Sequence, residues 1–73
     1  MTKPATSTAA HAQDPSDAQR LGDEIRKLRR ARGKSLAELA LAIGRSVSYI
    51  SQVERGNAEP SIADLKGIAS ALG

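Results

Sequence analysis

Leu36-Ala-Glu-Leu-Ala-Leu-Ala-Ile-Gly-Arg-Ser-Val-Ser-Tyr-Ile-Ser-Gln-Val-Glu-Arg-Gly56 is the stretch that decides the fold. Leu36, Leu39, Ala40 and Ile43 recur at the three- and four-residue steps that gather side chains on one face of a helix. Ser35 stands just before them and Glu38 three residues later, so hydroxyl and carboxylate can each satisfy a backbone amide left open at a helix start. Gly44 follows Ile43, and glycine takes the left-handed conformation that ends a helix without a Cβ penalty. Ser46 is then a second N-cap, and Ile50 and Val53 supply the next apolar stripe. The stretch predicts a helix over residues 36–43, a three-residue turn, and a second helix from Val47 to Arg55 closed by Gly56.

Small Ala40 lets these two helices cross closely, and Ser48, Ser51 and Gln52 fall on the side of the second helix away from Ile50 and Val53. A helix fits the major groove of DNA, where a carboxamide such as Gln52 can pair bidentately with adenine, serine hydroxyls can donate or accept, and Val47 can meet a thymine methyl. The same side chains on an ordinary amphipathic helix are merely solvated. The caps, the tight turn and the basic surroundings favour the groove.

Working outward, Ser16 and Gln19 form another capping box behind Pro15, and Leu21, Ile25 and Leu28 line a helix from Asp17 to Arg32 that ends at Gly33. Downstream, residues 57–60 form a loop, and Ser61 with Asp64 caps a further helix through Leu72. The predicted core is Leu21, Ile25, Leu28, Leu36, Leu39, Ile43, Ile50, Val53, Ile62, Leu65, Ile68 and Leu72, thin but sufficient for one domain in a chain of 73 residues. Residues 1–15 are small and polar with nothing to bury, and are expected to be a disordered tail ahead of a domain over residues 16–73.

Composition narrows the function classes. The absence of cysteine excludes disulfides and thiolate chemistry, and there is neither a signal peptide nor an apolar run of about 18 residues. A soluble protein of the reducing cytoplasm is expected. His11 is the sole histidine and lies in the tail, so no metal cluster or histidine-dependent nucleophile can be assembled; the reading is of a non-enzyme without metal or cofactor. The formal charge is +3, but Lys3 against Asp14 and Asp17 leaves residues 1–19 at −1, so residues 20–73 carry +4. Arg26, Lys27, Arg29, Arg30, Arg32 and Lys34 crowd into nine residues without an acid, a run able either to displace counterions from a nucleic-acid backbone or simply to solvate a helix face.

Residues 20–73 resemble the Cro/repressor-type helix-turn-helix family of bacterial transcription regulators, also called the XRE family. The resemblance rests on residues 21–33, Ser35-Leu-Ala-Glu-Leu-Ala40, Ser48-Tyr-Ile-Ser-Gln-Val-Glu-Arg-Gly56, Pro60-Ser61 and Ile68-Ala-Ser-Ala-Leu-Gly73, matched in order and spacing. It implies an all-α, compact four- to five-helix bundle of the lambda-repressor type, whose third helix reads bases. Mapped onto this chain, it makes Val47, Ser48, Ser51 and Gln52 the base contacts, and Ser35, Arg45, Ser46, Tyr49, Arg55 and Asn57 the phosphate contacts. It also pairs Arg29 with Glu54 between the first and third helices. The implied partner is a palindromic double-stranded operator bound by a homodimer, with half-sites roughly 34 Å apart. Relatives often continue into a fifth helix and a C-terminal sensor domain, commonly a cupin-type barrel, so the chain reads as the N-terminal piece of a longer regulator. The chain departs from the family at Arg45 and Lys34, where apolar residues are common, and at Val47 and Ser48, which offer fewer hydrogen bonds than the usual glutamine or arginine. Sequence preference is therefore expected to lean on Gln52 and on DNA shape. The alternative is a protein-interaction or antitoxin-like adaptor on the same fold, which would be expected to expose apolar anchors.

Overall fold

The computed structural model describes residues 16–73; the tail expected over residues 1–15 lies outside them. Four α-helices follow one another: α1 Asp17–Ala31, α2 Leu36–Ile43, α3 Val47–Glu54 and α4 Ile62–Leu72. The first and third each stop one residue short of the sequence expectation, with Arg32 and Arg55 as their C-caps ahead of the left-handed Gly33 and Gly56.

Each helix opens on a serine whose hydroxyl accepts the amide three residues on: Ser16 from Gln19, Ser35 from Glu38, Ser46 from Tyr49 and Ser61 from Asp64. Gln19 and Glu38 return the bond to the serine's own amide, completing two capping boxes. The α2 end is a Schellman turn. Gly44 sits at φ +71°, its N–H donates to the Leu41 carbonyl, and the Arg45 N–H donates to that of Ala40. Gly56, at φ +81°, closes α3 in the same way and folds Asn57 back to donate its N–H to the Gln52 carbonyl.

The core is Ile25, Leu39, Ala40, Ile50, Val53, Ile68 and Leu72, with Leu21, Leu36, Ile43 and Tyr49 packed around it. Leu39, Ile50 and Val53 are fully buried, worth about 1.5–3 kcal/mol each relative to exposure. α2 and α3 pack on each other, α3 on α1, and α4 on both α1 and α2. Two expected core residues are corrected. Leu28 is 46% exposed because the apolar groove that it lines with Leu21, Leu65 and Leu72 between α1 and α4 is left open, and Ile62 is 73% exposed in the first turn of α4. Helical periodicity names a face, and only tertiary packing decides how far along that face the cover extends.

Gly22 explains how α1 and α3 come so close. A Cβ built there would lie 2.5 Å from the carbonyl oxygens of Val53 and Glu54, so the last turn of α3 rests directly on the α1 backbone.

Candidate nucleic-acid interface

α3 is fixed from behind and open in front. Ile50 and Val53 are buried in the core, while Val47 and Ser48 are exposed and Ser51 and Gln52 half-exposed. The expected base-contacting side chains thus share one accessible side of a rod that cannot roll without withdrawing two core residues. Gln52 is not free: its Oε1 accepts a hydrogen bond from Asn57 Nδ2 at 3.1 Å, so the turn at Gly56 brings in a side chain that holds the amide. Asn57, expected at a phosphate, is exposed and gives one amide hydrogen to Gln52.

At the other end of α3, Arg29 and Glu54 meet with both side chains buried. Arg29 Nε donates to Glu54 Oε2 at 2.7 Å and its Nη2 to Oε1 at 3.1 Å, a bidentate fork. Nη1 donates to the Lys34 carbonyl at 2.8 Å, tying the α1–α2 loop to the same guanidinium. The bond to Glu54 holds the Arg29 guanidinium still more firmly protonated than usual.

The turn carries a second cluster. Arg45 Nε donates to Asp64 Oδ1 at 3.0 Å, Tyr49 Oη donates to Asp64 Oδ2 at 2.8 Å, and the Arg45 guanidinium lies over the Tyr49 ring, 5.2 Å from its centre. The bonds from Arg45 and Tyr49 hold the Asp64 carboxyl below its usual range, and burial with the bond to Asp64 pushes the Tyr49 phenol up. The sequence offered Asp64 only as a partner for the Ser61 cap, and the resemblance offered Arg45 as a phosphate contact. The structure adds to this: the Asp64 backbone serves the cap as expected, and its carboxylate crosses to the turn and engages Arg45.

The basic run of α1 does not form one patch. Arg29 is buried, Lys27 pairs with Glu24 at 3.5 Å, and Arg32 Nη2 donates to the Gly73 carbonyl at 3.3 Å. Arg26 and Arg30 turn toward α3, where with Arg55 and Ser51 they line a cleft of about 240 Å³. Sequence reasoning counted these two arginines in the run without giving them a place; their four-residue spacing on the face of α1 that also carries Arg29 was the available signal. Ser35 and Ser46, expected near phosphates, are exposed N-caps of α2 and α3. Among the described residues no group of histidine, aspartate or glutamate side chains is arranged to hold a metal, and no helix is long and apolar enough to cross a membrane.

A helix-turn-helix family model matches residues 25–73, and the chain belongs to that family, in its XRE-type branch. It is 41% identical over 54 residues to the HTH-type transcriptional regulator DdrOP3 of Deinococcus deserti, covering 74% of this chain and 42% of that protein. It is 38% identical over 52 residues to the transcriptional regulator ClgR of Mycobacterium tuberculosis, covering 71% and 46%. The chain therefore spans less than half the length of these relatives. Among solved structures, the restriction-modification controller protein C.AhdI from Aeromonas hydrophila superposes with a TM-score of 0.74 at 38% identity, over 77% of this chain and 85% of that one.

Proposed function

We propose that this chain is the DNA-binding domain of a bacterial transcription regulator, and that α3 enters the major groove of a double-stranded operator. The observation that carries the reading is the two-sidedness of α3: Ile50 and Val53 lock one side into the core, while Val47, Ser48, Ser51 and Gln52 share the accessible side. Ser51 and Gln52 are the base readers with hydrogen-bonding reach, and Val47 supplies an apolar contact. Phosphates on one flank meet the Arg26, Arg30 and Arg55 cleft and on the other the exposed caps Ser35 and Ser46 with Arg45. The domain works by binding rather than catalysis, in the cytoplasm, as two copies on a palindromic operator. The relatives' names as transcription regulators support the same reading.

The test is a titration against a random duplex pool and against the duplexes selected from it, at two salt concentrations. Specific recognition predicts that selected duplexes outcompete the pool. Gln52→Ala should cost about 1–3 kcal/mol at one base pair, while Arg55→Ala should weaken all duplexes alike and lower the salt slope by about 1. Equal affinity for every duplex would refute specific reading.

A further inference from the structure

We propose that Asp64 is a positioning residue for the DNA backbone, holding Arg45 so that its terminal nitrogens, and not the Tyr49 hydroxyl, meet a phosphate. The inference rests on the DNA-binding reading above and assigns donors within it.

It follows from counting protons. A phenol has one proton to donate, and that of Tyr49 is given to Asp64 Oδ2 at 2.8 Å. While that bond stands, Tyr49 presents a phosphate only with lone pairs, which repel it. A guanidinium has five N–H groups in a rigid fork, and Arg45 spends only the Nε proton on Asp64, at 3.0 Å. Its two terminal nitrogens remain, on a side chain 49% exposed, whereas that of Asp64 is 8% exposed. The guanidinium has two restraints, the carboxylate at Nε and the Tyr49 ring beneath it. Two of the three groups are thus used to hold the third.

The placement explains why an arginine follows the turn glycine. Arg45 is the residue whose N–H closes the Schellman turn, so its Cα is fixed to the end of α2. Asp64 is in the first turn of α4, anchored by the Ser61 cap. The bridge spans 19 residues and joins the inter-helix turn to a helix that takes no part in reading bases. Lysine at position 45 would keep the charge, but all three of its donors sit on one flexible nitrogen, without the planar fork that separates the atom bonded to the carboxylate from the two that face forward.

The experiment measures affinity and salt slope of the full chain for the random duplex pool, with each variant's folding checked by its unfolding midpoint. Arg45→Ala and Arg45→Lys should both weaken binding, by about tenfold for a lost charge-assisted contact. Tyr49→Phe should weaken binding far less than Arg45→Ala does. Asp64→Asn, which preserves shape, should weaken binding when Arg45 is present and have no further effect in the Arg45→Ala background. Wild-type affinity in Arg45→Lys, a loss in Tyr49→Phe as large as that in Arg45→Ala, or the same Asp64→Asn loss in both backgrounds would each overturn the positioning role while the DNA reading stood. Failure of the unmodified chain to bind any duplex would instead refute the DNA reading and take this inference with it.

Discussion

Two arginine–carboxylate pairs clasp the segment that carries α3, one through a bidentate fork and one through a single bond, and they differ most in how far the cation is buried. In Arg29–Glu54 both side chains are buried and every bond of the guanidinium is directed inward, to Glu54 and to the Lys34 carbonyl. In Arg45–Asp64 only the carboxylate is buried; the guanidinium is half in solvent with donors left over. Burial of the cation and the number of its donors spent inward separate the roles: the first pair fixes where α3 sits, and the second leaves part of its charge available at the surface.

That contrast can be broken most severely at the buried pair. Glu54→Ala strands the Arg29 cation and should cost about 3–5 kcal/mol, enough to unfold much of so small a domain, in a urea titration. Replacing both partners with apolar residues of similar volume should recover most of that loss, since the cost lies in the uncompensated charge. Arg45→Ala leaves the Asp64 carboxylate with its Tyr49 and Ser61 bonds, so it should lower the unfolding midpoint by less than Glu54→Ala while weakening DNA binding.

A substitution at the same α1–α3 contact sharpens the point without touching charge. Alanine in place of a mid-helix glycine ordinarily stabilises by about 1 kcal/mol. At Gly22 the added methyl would meet two backbone carbonyl oxygens at 2.5 Å, so Gly22→Ala should destabilise instead, by about 1–3 kcal/mol as for an overpacked core, measured by the same titration.

The smallest effect is one of pH. Arg45 from the turn, Tyr49 from α3 and the Ser61 cap face Asp64 and hold its carboxyl below the ordinary range. A group whose pKa is lowered on folding contributes stability that is fully present above its unfolded value, near ~3.9, and is lost as pH falls through the folded value. Stability measured across that acid range should fall less steeply in Asp64→Asn than in the parent. Glu38, lowered by its bonds to Ser35, contributes in the same direction and is unaffected by that change.

What the sequence made legible was local. The four serine caps and the glycines at positions 33, 44 and 56 act within a few residues of themselves, so the helices could be placed to within a residue at their ends. Ile50 and Val53 were readable because α3 has packing partners behind its whole length. Leu28 and Ile62 were misread because periodicity marks a face of a helix and not which positions along it another element covers. The Asp64 bridge to Arg45 and Tyr49 crosses 19 and 15 residues, and a capping position gave a complete local account of Asp64 that concealed the distant one. Gly22 carried a visible signal, a glycine inside a strong helix, whose meaning depended on a partner 31 and 32 residues away.

Gly56 has a consequence for motion. An added Cβ there would fall 2.6–3.0 Å from Gln19, the residue that completes the α1 capping box, so the exit from α3 lies against the opening turn of α1. First turns usually fray and exchange their amide hydrogens quickly. Here, unwinding the start of α1 would also loosen the exit from α3, so the amide of Gln19 should exchange more slowly than that of Glu38 at the matching place in the α2 capping box.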